Sequence, residues 1–133
     1  MEDQSENYKE EEIAYRVVRA AETLREAKAL IAIEGWNGSA NRLYYAAYYM
    51  VVALMIREGI KISSHDGAKH MLGLHFVETG RLDVRYSKIY GHLFNARQSG
   101  DYGTFIQYTP ERILPLLEET EEFIAAIEQL LTN

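Results

Sequence analysis

The chain has 133 residues, 47% hydrophobic and 26% charged, with no cysteine and a net charge of −6, a length and balance that fit one domain around one core. Without cysteine there is no disulfide, thiolate metal site or thiol nucleophile, a usage that fits a reducing cytoplasm. The acidic opening MEDQSENYKEEE differs from a secretory signal, and the longest apolar stretch, around Ala46 to Ile56, is too short for a bilayer, so a cytoplasmic protein without a membrane span is expected.

Residues 1–8 are polar and charged and read as a disordered tail, leaving 9–133 as a single domain. From Tyr8 to Glu34 the positions Ile13, Val17, Ala20, Leu24, Ala27 and Ile31 recur at steps of three and four, one apolar stripe down a first helix. The run Gly35-Trp36-Asn37-Gly38-Ser39 reads as its break, with Asn37 or Ser39 capping a second helix from about Ala40 to Glu58, stopped by Gly59. Ser63, Ser64 and Asp66 predict the cap of a short third helix that carries Met71, Leu72, Leu74, Phe76 and Val77 and ends at Gly80. A fourth helix opens at Asp83, spaces Tyr86, Ile89, Tyr90, Leu93 and Phe94 helically, and runs to about Gln98 before Gly100. After a loop from Gly100 to Tyr108, Thr109-Pro110 caps a fifth helix reading Ile113, Leu117, Ile124, Ile127 and Leu131. Pro115 predicts a kink or a split first turn in it. Short connections between amphipathic helices favour an all-α, antiparallel bundle of four to five helices.

Charge is unevenly spread. Residues 1–12 hold six acids against Lys9 and residues 110–133 hold six against Arg112, while residues 13–109 carry twelve Lys or Arg against eight acids and all four histidines. The middle is thus mildly basic, a weak footprint for a nucleic-acid partner and equally the pattern of an ordinary solvated surface.

Several enzyme classes are disfavoured by absence. There is no Glu-x-x-His pair for a di-iron bundle. His65, His70 and His75 are five apart, so each is rotated by about 140° from the last and they share no face of a helix. No cofactor and no metal is expected. What stands out is Arg42-Leu43-Tyr44-Tyr45-Ala46-Ala47-Tyr48-Tyr49. Helical spacing sets Arg42, Tyr45 and Tyr49 on one side and Tyr44 and Tyr48 about 100° away. These rings either fill a core or line a working surface. The second unusual segment is Arg97-Gln98-Ser99-Gly100-Asp101-Tyr102-Gly103. Arg97 and Asp101 are four apart and can form a helix-end ion pair; an arginine fork beside tyrosines also suits a phosphate.

Taken in order, Arg42 to Tyr49, Ala53-Leu54, Gly59, Ser64-His65-Asp66-Gly67, His75 to Gly80 and Arg97 to Tyr102 resemble the small stand-alone branch of the HEPN domain family over residues 13–131. The resemblance implies a helical bundle that forms a homodimer, with the Arg42–Tyr49 and Arg97–Tyr102 segments facing one cleft. It further implies metal-independent endoribonuclease or RNA-binding activity and, in several members, a toxin paired with a minimal nucleotidyltransferase as antitoxin. The family's catalytic motif is an arginine followed four to six residues later by a histidine. Arg97 matches the arginine, but Tyr102 stands where a histidine is expected and Thr104 where some members carry a modified tyrosine. A phenol with a pKa of about 10 is a poor base at neutral pH, whereas it can donate a hydrogen bond.

The expected function is therefore an RNA- or nucleotide-binding domain with Arg97, Asp101 and Tyr102 as the catalytic or phosphate-holding set and Arg42, Tyr45, Tyr49 and His65 as further binding residues. In that reading Arg97 holds the phosphate, Asp101 orients it and Tyr102 bonds the sugar or scissile oxygen. His65 is a reserve base or simply a neighbour of the Ser64 cap. The alternative is a catalytically inactive interaction module that docks a partner protein.

Overall fold

The computed structural model describes the backbone of residues 2–101 and 107–133, and the side chains of residues 5–97 and 107–133. Within these residues the fold is all-α: α1 (Glu2–Ala32), α2 (Trp36–Glu58), α3 (His65–Leu72), α4 (Val84–Asp101) and α5 (Pro110–Thr132). α3 continues directly into a π-helical turn, Gly73–Val77, closed by the Glu78 N–H donating to the Gly73 carbonyl at 2.9 Å.

α1 begins at Glu2, six positions ahead of the predicted start. No glycine or proline interrupts the sequence before Gly35, and glutamates early in a helix favour its positive end. Its apolar stripe falls as predicted: Ala20 and Ala27 are buried, and Val17, Leu24 and Ile31 pack beside them. Thr23 is buried on the same face and donates its hydroxyl to the Arg19 carbonyl at 2.6 Å, which removes the cost of burying it.

α2 starts at Trp36, four residues earlier than predicted, with Gly35 at its cap. Asn37 and Ser39 are therefore inside the helix. The Ser39 hydroxyl donates back to the Gly35 carbonyl at 2.7 Å, and Gly38 permits close approach of α1: a Cβ there would lie 3.2 Å from Leu30 Cδ1. α2 is the central element, packed by α1, α4 and α5. Leu43, Tyr44, Met50, Leu54 and Met55 are fully enclosed, each worth about 1.5–3 kcal/mol in apolar burial. Arg57, in its last turn, donates to the carbonyls of Leu130 and Asn133, supplying partners at the end of α5 that the helix cannot provide itself.

α4 reaches Asp101, so Gly100 lies within the helix and does not end it. α5 starts at Pro110 as predicted and runs through Pro115 without interruption. Its buried positions are Ile113, Leu116, Thr120, Phe123 and Ile127, so the core line passes one residue to the side of the predicted Leu117 and Ile124, which are half-buried next to it.

Candidate functional site

The tyrosine pairs of α2 lie where α3 and α4 meet it. Tyr44 is fully buried, whereas Tyr45, Tyr48 and Tyr49 are half-buried and form a continuous aromatic surface with neighbouring centroids 6.0–6.2 Å apart. Ser64 caps α3 by accepting from the Gly67 N–H at 2.9 Å, which fixes His65 as the first residue of that helix. From there the imidazole enters the aromatic group. Its centroid is 4.5 Å from Tyr48, 5.6 Å from Tyr44 and 5.7 Å from Tyr45, and its Nδ1 is 2.7 Å from the Tyr44 hydroxyl.

α4 supplies the floor. Tyr90 is buried, stacks on Phe123 of α5 with centroids 5.4 Å apart, and directs its hydroxyl to that of Tyr44 at 3.5 Å, the outer limit of a hydrogen bond. About two turns further on, Arg97 is only 7% exposed, with its guanidinium carbon 5.2 Å from the Tyr44 ring centre and 5.8 Å from that of Phe94. A cation over an aromatic face is attracted by the ring quadrupole, more strongly when desolvated.

Two further arginines frame the surface. Arg19 lies over Tyr49 at 5.4 Å and pairs with Glu22 at 3.2 Å. Arg42 lies over Tyr45 at 5.3 Å, pairs with Glu26 at 3.3 Å and donates to the Asn41 side chain.

Burial sets the protonation of the phenols. The Tyr44 hydroxyl is pushed up to about 12, chiefly by desolvation, against the opposing hydrogen bond from Tyr90 and the positive charge of Arg97. Burial also raises Tyr48, opposed by the charges of Arg16 and Arg97, and holds Tyr90 well above its ordinary value. All three are neutral hydroxyls at physiological pH, fit to donate or accept hydrogen bonds but not to act as bases.

Of the residues singled out from the sequence, Arg97, His65, Tyr45, Tyr49 and Arg42 are brought to this one surface. Asp101 is the last residue of α4, with its side chain outside the described residues, and Tyr102 lies outside them altogether. Tyr44, about 100° around the helix from Tyr45, joins the groups. It is in the core, and it also touches both His65 and Arg97. Tyr90, Tyr48 and Phe94 were missed as site residues, because no local spacing links them to a histidine 17–29 positions away.

A helical domain with an arginine at the end of its fourth long segment, packed on a tyrosine-rich central helix, matches a known domain over residues 13–130. The chain belongs to the HEPN domain family. Among curated proteins, a UPF0332 protein of Thermotoga maritima is 36% identical over 127 residues, covering 96% of both chains. Two Methanocaldococcus jannaschii proteins, each named "putative toxin", are 31% identical over 121 residues and 26% over 122, covering 91% and 92% of this chain and 90% and 83% of theirs. Among the described residues of this HEPN domain no three His, Cys, Asp or Glu side chains converge as metal ligands, and no helix is long and apolar enough to cross a membrane.

Proposed function

We propose that this HEPN domain is toxin-like and engages RNA at the Arg97 surface, with Arg97 holding a phosphate, the half-buried tyrosines Tyr45, Tyr48 and Tyr49 meeting bases, and Arg19 and Arg42 framing the strand. The observation that carries the reading is the burial of Arg97 against Tyr44 beside His65. Withdrawing a guanidinium from water is costly. Set over the Tyr44 and Phe94 rings, its planar fork suits a phosphate, to which it can donate two parallel bonds. Aromatic faces next to it suit unpaired bases, which stack without regard to sequence. The names carried by the two archaeal relatives support the toxin-like part. On the family resemblance, the reading extends to a homodimer and to a nucleotidyltransferase as neutralising partner. In that scheme Asp101 and Tyr102 complete the phosphate side.

The test is RNA binding by the purified chain at low and moderate salt, with EDTA present, in wild type and Arg97→Ala. Arg97→Ala is expected to weaken binding by about tenfold or more, since a hydrogen bond to a charged group contributes about 1.5–3 kcal/mol. Unchanged affinity would remove the RNA-directed reading and leave a module that docks a protein partner.

A further inference from the structure

We infer that Arg16 holds a second phosphodiester of the bound strand, so that single-stranded RNA crosses α2 from Arg97 to α1 by way of Tyr48. The inference deepens the RNA-directed reading above and rests on it.

The position comes from the contact line of α1. Residues 16, 20, 23 and 27 follow one another at steps of four, three and four, so they lie along one face of the helix. Ala20, Thr23 and Ala27 are buried on it, small residues that let α1 lie close against α2. The next place along the same line, toward the start of α1, holds an arginine. Arg16 is half-buried, and its Nε is withdrawn from water yet donates to nothing among the described residues. Its guanidinium carbon is 5.8 Å from the ring centre of Tyr15, near the outer limit of a cation–π contact. Glu12 stands four positions earlier, the spacing of a helical ion pair, but no carboxylate among the described residues pairs with Arg16.

A charged donor that is withdrawn from water and has no acceptor in its own chain is costly, and an anion from outside meets it. The neighbouring arginines differ in this respect. Arg19, one turn on, pairs with Glu22 at 3.2 Å, and Arg42 pairs with Glu26 at 3.3 Å. Like charges three positions apart on a helix repel, so an anion between Arg16 and Arg19 relieves both. A single guanidinium without a counter-charge balances the one negative charge of an internucleotide phosphate, whereas a terminal phosphate monoester carries about −1.5 to −2 at neutral pH.

The path between the two phosphates is aromatic. Arg97 lies over Tyr44 at 5.2 Å, and Tyr44 stacks on Tyr48 with centroids 5.8 Å apart and planes at 22°. The Tyr48 hydroxyl lies within the field of Arg97 from α4 and of Arg16 from α1. Tyr48 therefore stands between the two cations, and Tyr49, 6.1 Å beyond it, carries Arg19 over its ring at 5.4 Å. A strand laid from one guanidinium to the other passes these half-buried rings, which suit unpaired bases.

The test uses an eight-nucleotide 2′-O-methyl RNA of mixed sequence, with and without a 5′-phosphate, titrated by fluorescence anisotropy across a KCl series. Arg16→Met keeps the apolar stem and removes the charge and its donors. It is expected to weaken binding by about tenfold, and to flatten the fall of log affinity with log salt by about 0.7, equally for both forms of the oligonucleotide. Its Tm should stay close to that of wild type. Arg16→Lys keeps the charge without the planar fork, so it should retain the wild-type salt slope while losing part of the affinity; this variant decides the matter should Arg16→Met fail to fold. Wild-type affinity and slope in Arg16→Met, or wild-type affinity in Arg16→Lys, overturns the assignment of Arg16 and leaves the Arg97 reading standing. A loss confined to the 5′-phosphorylated form overturns the internal diester in favour of a terminal phosphate. Failure of wild type to bind either oligonucleotide overturns both readings.

Discussion

The backbone N–H of Tyr108 donates to the Asn37 side-chain oxygen at 2.9 Å, tying the approach to α5 to the first turn of α2 across 71 positions. The Tyr108 hydroxyl donates in turn to the carbonyl of Ala96 at 2.7 Å, and the residue is 4% exposed. Ala96 immediately precedes Arg97, so Tyr108 pins the turn of α4 that carries the guanidinium. Asn37→Ala and Tyr108→Phe are each expected to destabilise the fold by about 1 kcal/mol, the usual net worth of one hydrogen bond. Thermal unfolding checks this, since 1 kcal/mol shifts Tm by about 3–6 °C at this size. An unchanged Tm in both variants would show that the clamp adds nothing to stability.

The helices were legible because each buries a stripe with helical period, and the Ser64 and Pro110 starts carry local chemistry that a sequence displays directly. The start of α2 was not legible for a physical reason. Gly35 and Gly38 look alike on the page, yet one is a cap and the other a mid-helix position kept small by Leu30 of the neighbouring helix. The site shows the same division. Arg97 and the tyrosine pairs announce themselves by type and spacing, and the family resemblance joined them. The contact of Tyr44 with His65, 21 positions on, and with Tyr90, 46 positions on, exists only once α2, α3 and α4 have packed.

Two helix ends use the same closing motif with different residues. After α1, Glu34 N–H donates to the Ile31 carbonyl and Gly35 N–H to that of Leu30, with Glu34 at φ 60°. After α2, Gly59 N–H donates to Ile56 and Ile60 N–H to Met55, with Gly59 at φ 70°. A left-handed residue with a Cβ is strained where glycine is not. Glu34→Gly is therefore expected to stabilise by about 0.5 kcal/mol, after the greater freedom of glycine in the unfolded chain is offset. Gly59→Ala is expected to cost about 1 kcal/mol, all of it backbone strain, because a Cβ at Gly59 would meet nothing within 4 Å. The urea midpoints should move in opposite directions; movement the same way would refute the account.

The buried phenols make stability sensitive to alkali. Tyr44 ionises at about 12 in the fold and at about 10 when unfolded, so the fold prefers the neutral form. That contribution is complete below about pH 10 and is lost progressively as pH rises through the folded value; Tyr90 adds in the same direction. The fall in Tm between about pH 10 and pH 12 should accordingly be shallower in the double variant Tyr44→Phe, Tyr90→Phe than in wild type. Equal slopes would mean that these two hydroxyls do not couple ionisation to folding.

The rim arginines are each held by an acid, Arg19 by Glu22 and Arg42 by Glu26. Such exposed or half-exposed pairs contribute little to stability, but they reduce the positive charge available to a phosphate backbone. Replacing both acids, Glu22→Gln with Glu26→Gln, is expected to leave Tm within about 2 °C, since surface changes of this kind stay within roughly 0.5 kcal/mol. The same double variant should bind single-stranded RNA several-fold more tightly. The gain should depend on salt, because each arginine freed to neutralise a phosphate steepens the fall of log affinity with log salt by up to about 0.7. Fluorescence anisotropy titrations across a series of KCl concentrations measure both quantities. A slope identical to that of wild type would show that Arg19 and Arg42 stand outside the RNA path, confining recognition to Arg97 and the aromatic surface between the helices.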